Sequence, residues 1–378
     1  MGLKGFNDGL RKHFKYPEKT VKLSTFRGKR IAIDFHNEMY KKLYGAQKRT
    51  IGTTDVVLCT VDRSEVLRTW LVMELNFLLD LIEAGITPVA VFDGDHPPEK
   101  KATKEKRTKE AIAKQNRIVE LQADIAKYDP VSVPQDKVEE LKKLYSSSVH
   151  VPYDEVEFLR NILSGIGIPV VQATGDAEQL CSMLCIDGIV EAVYSTDTDN
   201  YAHGCPTLIT KIGRKIWSKE LNCYDRDITV VYLADILSEL KMTFDTFVDF
   251  CIMCGTDYND NIRNCGFKRS YEHMIQYGTI EKLQSLDTSI LNHVKTRSLF
   301  AIRPWKDCYV SGTFNIPDIV VDTARDRLES IGRSDVLDRL IPACKNCPVP
   351  QDRGHQLLPT RKQVKIRTPG MTKLEIRE

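Results

Sequence analysis

Two stretches decide the reading of this chain: Ile168-Pro169-Val170-Val171-Gln172-Ala173-Thr174-Gly175-Asp176-Ala177-Glu178, and Ala192-Val193-Tyr194-Ser195-Thr196-Asp197-Thr198-Asp199. Between them Leu180, Met183 and Leu184 recur at helical spacing. The order is apolar run, acid-x-acid pair, helix, apolar run, acid-x-acid pair, which is a short βαβ-like unit with a pair at each boundary. Spacing by two puts both side chains of a pair on one face of extended backbone. Strand ends are also where open α/β sheets bind ligands. Four carboxylates meeting in one crevice repel one another, so the arrangement makes sense mainly with bound cations. The competing reading is local: Asp176 followed by Gln179 matches a capping box, and Asp197 to Asn200 can be ordinary turn residues.

Working outward, two more buried strands end in acids. Ile31-Ala32-Ile33 closes on Asp34, and Ile86 to Phe92 closes on Asp93-Gly94. For Asp34 the alternative is a helix cap, since Met39, Tyr40 and Leu43 follow at helical spacing. From Glu65 to Ala84, Val66, Leu67, Trp70, Leu71, Phe77, Leu78, Leu81 and Ile82 predict a helix that Gly85 terminates. A helix is expected to follow Leu10 through Phe14, and a Thr-rich loop to run from Ala46 to Asp62. Helices are expected over 100–128, 135–145 and Tyr153 to Ser164. Further on, Leu208-Ile209 and Ile216-Trp217 predict a small hairpin, and Ile228 to Leu240 and Phe244 to Cys254 predict helices. The latter ends in Gly255-Thr256-Asp257-Tyr258, a further acid at an element boundary. Arg263 to Met274 reads as a turn plus helix, Leu283 to Leu340 as helical and mixed, and Cys344 to Glu378 as loosely ordered.

Among the 378 residues 28% are charged, yet the net charge is only +2, so any basic surface must be local. One such surface lies between Glu99 and Arg117, where eight Lys or Arg face three Glu. A solvated helical hairpin explains such a run by itself, but beside an acidic metal site it is the expected grip on a phosphate backbone. Eleven cysteines without regular spacing, and no signal peptide, indicate a reducing intracellular compartment. No apolar run approaches the roughly 20 residues that span a bilayer. Phe6 argues against N-myristoylation of Gly2. Cys251-x-x-Cys254 and Cys344-x-x-Cys347 could imitate a zinc site, but they are far apart and the first pair belongs to an apolar helix. His36, His96 and His203 lack metal-like spacing, and no glycine-rich phosphate loop with its lysine is present.

These separated motifs, taken together, resemble the flap endonuclease family, the structure-specific 5′ nucleases that include the xeroderma pigmentosum G type. The likeness covers roughly residues 1 to 280 in order. It rests on Met1-Gly2-Leu3-Lys4-Gly5, Ile31 to Asp34, Val91-Phe92-Asp93-Gly94 with Pro97-Pro98, Ala173 to Glu178, Thr196 to Asp199, and Cys254 to Tyr258. The resemblance implies an α/β fold with a central, mostly parallel sheet flanked by helices, a helical gateway or cap, and a helix-two-turn-helix. The implied organisation is 1–98 and 151–258 for the nuclease body, 99–150 for the gateway, 259–280 for the DNA-binding turn unit, and 281–378 for a C-terminal region with a basic tail. It also implies seven metal-associated carboxylates: Asp34, Asp93, Asp176, Glu178, Asp197, Asp199 and Asp257. Lys100 or Lys101 and Arg107 would grip the scissile phosphate, with spacing from Arg107 favouring Lys100 and counting from the prolines favouring Lys101. Tyr40 matches an aromatic that supports the substrate nucleotide. Gly2, Gly266, Lys268 and Arg269 would contact DNA.

Three departures stand out. Asp176 occupies a position usually held by Glu, one methylene longer. The turn reads Asn264-Cys265-Gly266-Phe267-Lys268-Arg269 in place of a glycine-led, proline-bearing one. Asn tolerates positive φ, so the turn is expected to survive, while a potassium ion there stays open. The C-terminus lacks the glutamine-plus-paired-aromatics motif that docks a sliding clamp, so clamp binding by that route is not expected. Such drift suits a divergent or virus-encoded member, placing the protein in the nucleus if cellular, and in the cytoplasm or host nucleus if viral.

The implied chemistry is two Mg²⁺ ions, with Mn²⁺ able to substitute, about 4 Å apart and straddling one phosphodiester. A monomer acting on branched or flapped DNA is expected, with RNA, exonuclease and junction cleavage left open. A haloacid-dehalogenase-type phosphatase also uses Asp-x-Asp after a strand, but it requires Thr or Val where Tyr201 stands. A catalytically silent nucleic-acid-binding scaffold would have lost carboxylates, and all seven positions are acidic.

Overall fold

The computed structural model describes residues 2–57, 61–218, 223–284, 286–314, 325–326, 328–329 and 335–346. Its organising element is one eight-stranded sheet in the order β1-β7-β6-β5-β2-β3-β4-β8. The strands are β1 (Glu18–Lys22), β2 (Arg30–Asp34), β3 (Thr87–Phe92), β4 (Val170–Ala173), β5 (Ala192–Tyr194), β6 (Thr207–Ser218), β7 (Cys223–Tyr232) and β8 (Tyr309–Gly312). The inner strands β6, β5, β2, β3 and β4 pair in parallel. The outer pairs β1–β7, β6–β7 and β4–β8 are antiparallel.

Strands β2, β3 and β5 are buried on both faces, which is why they read as continuous apolar runs. Ile31, Ile33, Ala90 and Phe92 point to one hydrophobic cluster, and Ala32, Val89 and Val91 to the other. The helices covering the faces are α1 (Phe6–His13), α2 (Phe35–Thr53), α3 (Arg63–Glu83), α4 (Lys101–Ile125), α5 (Gln135–Ser147), α6 (Tyr153–Gly165), α7 (Ala177–Ile186), α8 (Asp199–Ala202), α9 (Leu233–Leu240), α10 (Phe244–Cys254), α11 (Phe267–Tyr277) and α12 (His293–Leu299). Helices α2, α3 and α6 pack against the first cluster, and α1, α7, α9, α10 and α11 against the second. Helices α4 and α5 form the hairpin expected from the basic stretch, closed by Ile118, Leu121, Ile125 and Leu141. Among the described residues no helix is long and apolar enough to cross a membrane.

Several expectations are corrected. The loop placed at Ala46 to Asp62 begins only after Thr53, because α2 continues that far. Ala46, Thr50 and Ile51 are buried, and the Thr50 hydroxyl donates to the Ala46 carbonyl (3.2 Å), so tertiary packing overrides the threonine content. Leu208-Ile209 and Ile216-Trp217 lie on one strand, β6, and the hairpin partner is β7. Ile228 to Tyr232 is therefore strand, with only Leu233–Leu240 helical. Its β-branched residues, Ile228, Thr229, Val230 and Val231, carry the strand signal. Helix α1 starts at Phe6 and stops at His13. Within 283–340 the described elements include β8, which extends the sheet beside β4. The helix Asp335–Asn346 lies against α3. The tail carrying Cys347, the basic residues and the clamp-motif question lies outside the described residues.

Candidate metal and phosphate site

Strand order reverses between β2 and β5, and the acids gather at the carboxyl ends of the strands around that point. Asp34 ends β2, Asp93 follows β3, Asp176 and Glu178 open α7 after β4, and Asp197 and Asp199 follow β5. Asp257 arrives from the loop after α10. All but Asp93 are classed as buried residues, and the Asp93 carboxylate is only 15% exposed.

Each carboxylate is held in its own way. Asp34 does the capping job that was its alternative reading: Oδ1 caps α2 by accepting from the Asn37 N–H at 3.2 Å, while Oδ2 accepts from the Ser195 hydroxyl at 2.9 Å. Asp93 Oδ1 accepts the Ala177 N–H at 2.7 Å, so the amino end of α7 is capped by an acid from another strand. The capping-box alternative for Asp176 therefore fails, and its side chain makes no cap bond. Asp176 instead accepts from His96 Nδ1 (2.6 Å), Lys100 Nζ (3.0 Å) and the Tyr258 hydroxyl (2.8 Å). Asp197 Oδ1 accepts the Asp199 N–H at 3.1 Å. Both carboxylate oxygens of Asp199 are buried without any hydrogen-bond partner.

Electrostatics follow from this crowding. Burial, then the Asp93 and Asp197 charges, push the Asp34 carboxyl up to about 7. Burial, then Asp197 and Asp257, raise Asp199 well above the carboxylate range. Glu178 is raised by burial and by Asp176, Asp34 and Asp197 against the pull of Lys100, and Asp197 is raised by burial. Burial acts upward on Asp176 too, but His96, Lys100 and Tyr258 outweigh it and hold that carboxyl below its ordinary value. Burial disfavours the charged form of Lys100, yet Glu178, Asp176 and Asp93 reverse the effect and raise its pKa.

Helix α4 and the 3₁₀ turn Pro98–Lys100 that leads into it supply the opposing charge. Lys100 reaches Asp176 and, at 3.4 Å, Glu178. The Thr103 hydroxyl donates to the Asp257 carbonyl at 2.8 Å, and Arg107 forks across both Asp257 oxygens at 2.8 Å each. Lys101 points away, 79% exposed, with Glu105 as its distant partner. The structure thus brings Lys100 and Arg107 to the acids and leaves Lys101 outside. Tyr40, on α2, lies close enough for the Asp93 charge, after burial, to raise its phenol. Gly2 packs against the acidic loop: a Cβ there would overlap Asp197 Oδ1 and sit 2.6 Å from Thr198 Oγ1. Gly266, Lys268 and Arg269 stand apart, at the start of α11. Asn264 there adopts φ 60°, as the turn required, and its carbonyl accepts from Arg269 at 2.9 Å.

The donor set fits a hard divalent cation, being almost all carboxylate oxygen. The unpartnered oxygens of Asp199 and four upward-shifted carboxyls mark a place short of positive charge. As the side chains stand, no three Asp, Glu, His or Cys groups among the described residues converge tightly enough to hold one ion. Lys100 and Arg107 partly fill that role of counter-charge. The zinc alternative gains nothing: Cys251 and Cys254 are buried in α10, Cys344 is buried in another helix, and Cys347 lies outside the described residues.

Sequence reasoning missed His36, His96 and Tyr258. The Asp93 N–H donates to His36 Nδ1 at 3.1 Å, which fixes that ring beside the Asp93 carboxylate. The available signal was proximity: His36 follows Asp34 by two residues, and His96 follows Asp93 by three.

Comparison with known proteins adds the following. Residues 1–114 match the XPG N-terminal domain and residues 167–257 the XPG I-region. The chain is 31% identical over 283 residues to flap endonuclease 1 of Zea mays, covering 75% of this chain and 69% of that protein. It is 30% identical over 322 residues to flap endonuclease 1-A of Oryza sativa subsp. japonica, covering 85% and 77%. Among solved structures, flap endonuclease-1 from Methanococcus jannaschii superimposes with a TM-score of 0.56 at 23% identity, covering 89% of this chain and 98% of that one. The catalytic core of Rad2 in complex with DNA substrate gives 0.58 at 18% identity, covering 90% and 100%. These two likenesses bear on the fold.

Proposed function

The chain belongs to the flap endonuclease family, and on that premise we propose that its carboxylate crevice is the centre of a structure-specific 5′ nuclease acting on DNA. The observation that carries the reading is the buried acid cluster with Asp199 unpartnered, faced by Lys100 at the start of α4 and Arg107 within it. Asp34, Asp93, Asp176, Glu178, Asp197, Asp199 and Asp257 would hold the magnesium ions. When bound, these supply Lewis acidity that lowers the pKa of water and offsets charge on the phosphate.

The chain's own residues do the rest. Lys100 and Arg107 exchange carboxylate for phosphate oxygens as the scissile group enters, so positive charge is already in place where negative charge develops. Arg107 offers a planar fork suited to two phosphate oxygens. Tyr40 supports the nucleotide beside Asp93. The hairpin of α4 and α5 clamps a single-stranded 5′ end, while Lys268 and Arg269 at the Asn264 turn hold duplex backbone some way from the cut. The products carry a 5′ phosphate and a 3′ hydroxyl. Replication or repair intermediates with a single-strand/duplex junction are the natural substrates, and the compartment is the one that holds such DNA.

The test is a panel of end-labelled 5′-flap, nicked, bubble and RNA substrates in Mg²⁺. Cuts within a nucleotide or so of the junction, on DNA with a free 5′ end, support the reading. Binding of all substrates without any cleavage at neutral pH overturns it in favour of a silent scaffold.

A further inference from the structure

The loop that follows β3 is stitched to the loop that carries Asp176. The Gly94 N–H donates to the Gly175 carbonyl at 2.7 Å, and the Asp95 N–H to the Thr174 carbonyl at 3.1 Å. The backbones run so close that a Cβ on Gly94 would overlap the Ala173 carbonyl and lie 2.7 Å from that of Thr174. Pro97 and Pro98 follow at once and restrict the chain beyond. His96 is therefore delivered to Asp176 by a rigid backbone, and its Nδ1 stands 2.6 Å from Asp176 Oδ1. A carboxylate only accepts hydrogen bonds, so in this contact Nδ1 is the donor.

We propose that His96 is a positioning residue of the nuclease centre: from the loop after β3 it sets the reach and direction of the short Asp176 carboxylate. This rests on reading the acid cluster as a metal site. Three donors from three elements fix one carboxylate: His96 from the β3 loop, Lys100 from the foot of α4, and Tyr258 from the loop after α10. Lys100 is the donor that a phosphate draws away, and Tyr258 binds the other oxygen, Oδ2. Once Lys100 turns to substrate, His96 alone holds Oδ1 in place. An Asp is one methylene shorter than a Glu, and with Nδ1 already 2.6 Å from Oδ1 a longer side chain would have to bend away or displace the ring. The ring is partly open to solvent, with 32% of its side chain exposed, so its removal spares the core.

The test is a double-mutant cycle on the full chain, read first by calorimetric titration with Mn²⁺ in the absence of DNA, and then by kcat and KM on a 5′-flap substrate. His96→Ala should raise the Mn²⁺ midpoint by roughly 10- to 100-fold, the usual cost of losing such an outer partner. His96→Asn, whose amide nitrogen falls near the place of Nδ1, should recover most of that loss, with kcat rather than KM following the change. Asp176→Glu alone should weaken Mn²⁺ binding through crowding against the ring. Asp176→Glu combined with His96→Ala should bind more tightly than either single variant. Thermal melts confirm that each variant is folded.

Asp199→Asn separates failure of the metal site from failure of the His96 role. If it leaves Mn²⁺ binding unchanged, the metal-site reading itself falls. If it weakens binding while His96→Ala shifts the midpoint by less than a factor of two, or if the two substitutions simply add, the positioning role of His96 is overturned and the metal site stands.

Discussion

Replacing Asp34 with Asn should make the cation-free protein more stable while abolishing its nuclease activity. The Asp34 carboxyl is raised from 3.8 to about 7, first by burial and then by Asp93 and Asp197. Below pH 4 both folded and unfolded chains carry the proton and the site costs nothing. As pH rises, the unfolded chain ionises at its ordinary pKa while the folded one holds its proton, so stability drains away until pH passes about 7. At 1.36 kcal/mol per pKa unit, the penalty at pH 8 is about 4 kcal/mol. Asn keeps the bond from the Asn37 N–H but turns an N–H towards Ser195, whose own proton must find a new acceptor at a cost of about 1 kcal/mol. The net gain is about 3 kcal/mol. With an unfolding entropy of about 2.1 cal/mol/K per residue, a chain of this size gains roughly 4 °C in Tm. Calorimetric melts in chelator at pH 8 and pH 4.5 read this directly: the variant should melt higher at pH 8, and the advantage should vanish at pH 4.5. Added Mg²⁺ should stabilise the wild-type chain more than the variant. An Asp34→Asn protein that melts below wild type in chelator at pH 8 refutes the picture of a site starved of positive charge.

Other consequences are quicker to state. Arg107→Ala removes a fork from a half-exposed pair, so it should cost about 100-fold in single-turnover cleavage with little change in Tm, since exposed pairs add little stability. Lys100→Ala should be similarly damaging, whereas Lys101→Ala should leave cleavage within roughly twofold of wild type; the reverse ranking in a flap assay would discard the placement of Lys100. Gly2→Ala forces a Cβ onto the Asp197–Thr198 loop at φ +93°. It should lower kcat by about 100-fold through displaced carboxylates, with a far-ultraviolet spectrum unchanged.

The centre of the parallel core was legible because β2 and β3 are buried on two faces and each runs into an acid, so Ile31 to Asp34 and Ile86 to Asp93 announce both element and site. The βαβ unit around α7 was legible for the same reason. What escaped depended on long-range pairing. Ile228 to Tyr232 becomes strand only because Thr207 to Ser218 lies beside it. Glu18 to Lys22 is mostly exposed and shows no alternation, so nothing marks it as an edge strand until β7 is placed. Tyr309 to Gly312 escaped likewise, its burial being slight. The threonines of α2 concealed eight helical residues, 46–53, because their hydroxyls are satisfied within the helix.

At the site, the sequence delivered the carboxylates but not what orients them. Asp93 caps a helix whose own Asp176 appeared to be its cap, an exchange visible only once β3 and β4 lie side by side. The choice between Lys100 and Lys101 turned on a single turn of 3₁₀ helix, Pro98–Lys100, that rotates the first inward and the second outward. His96 carried no sequence signal beyond its nearness to Asp93, since its partner lies 80 residues further on.

The central claim is that the buried carboxylates hold the cations with which this chain cleaves DNA. Single-turnover cleavage of an end-labelled 5′-flap substrate in Mg²⁺, comparing wild type with the Asp197→Asn, Asp199→Asn double variant, tests it most directly. The double variant should still bind the flap but not cut it, at any Mg²⁺ concentration. Unchanged Mg²⁺-dependent cleavage by that variant would contradict it.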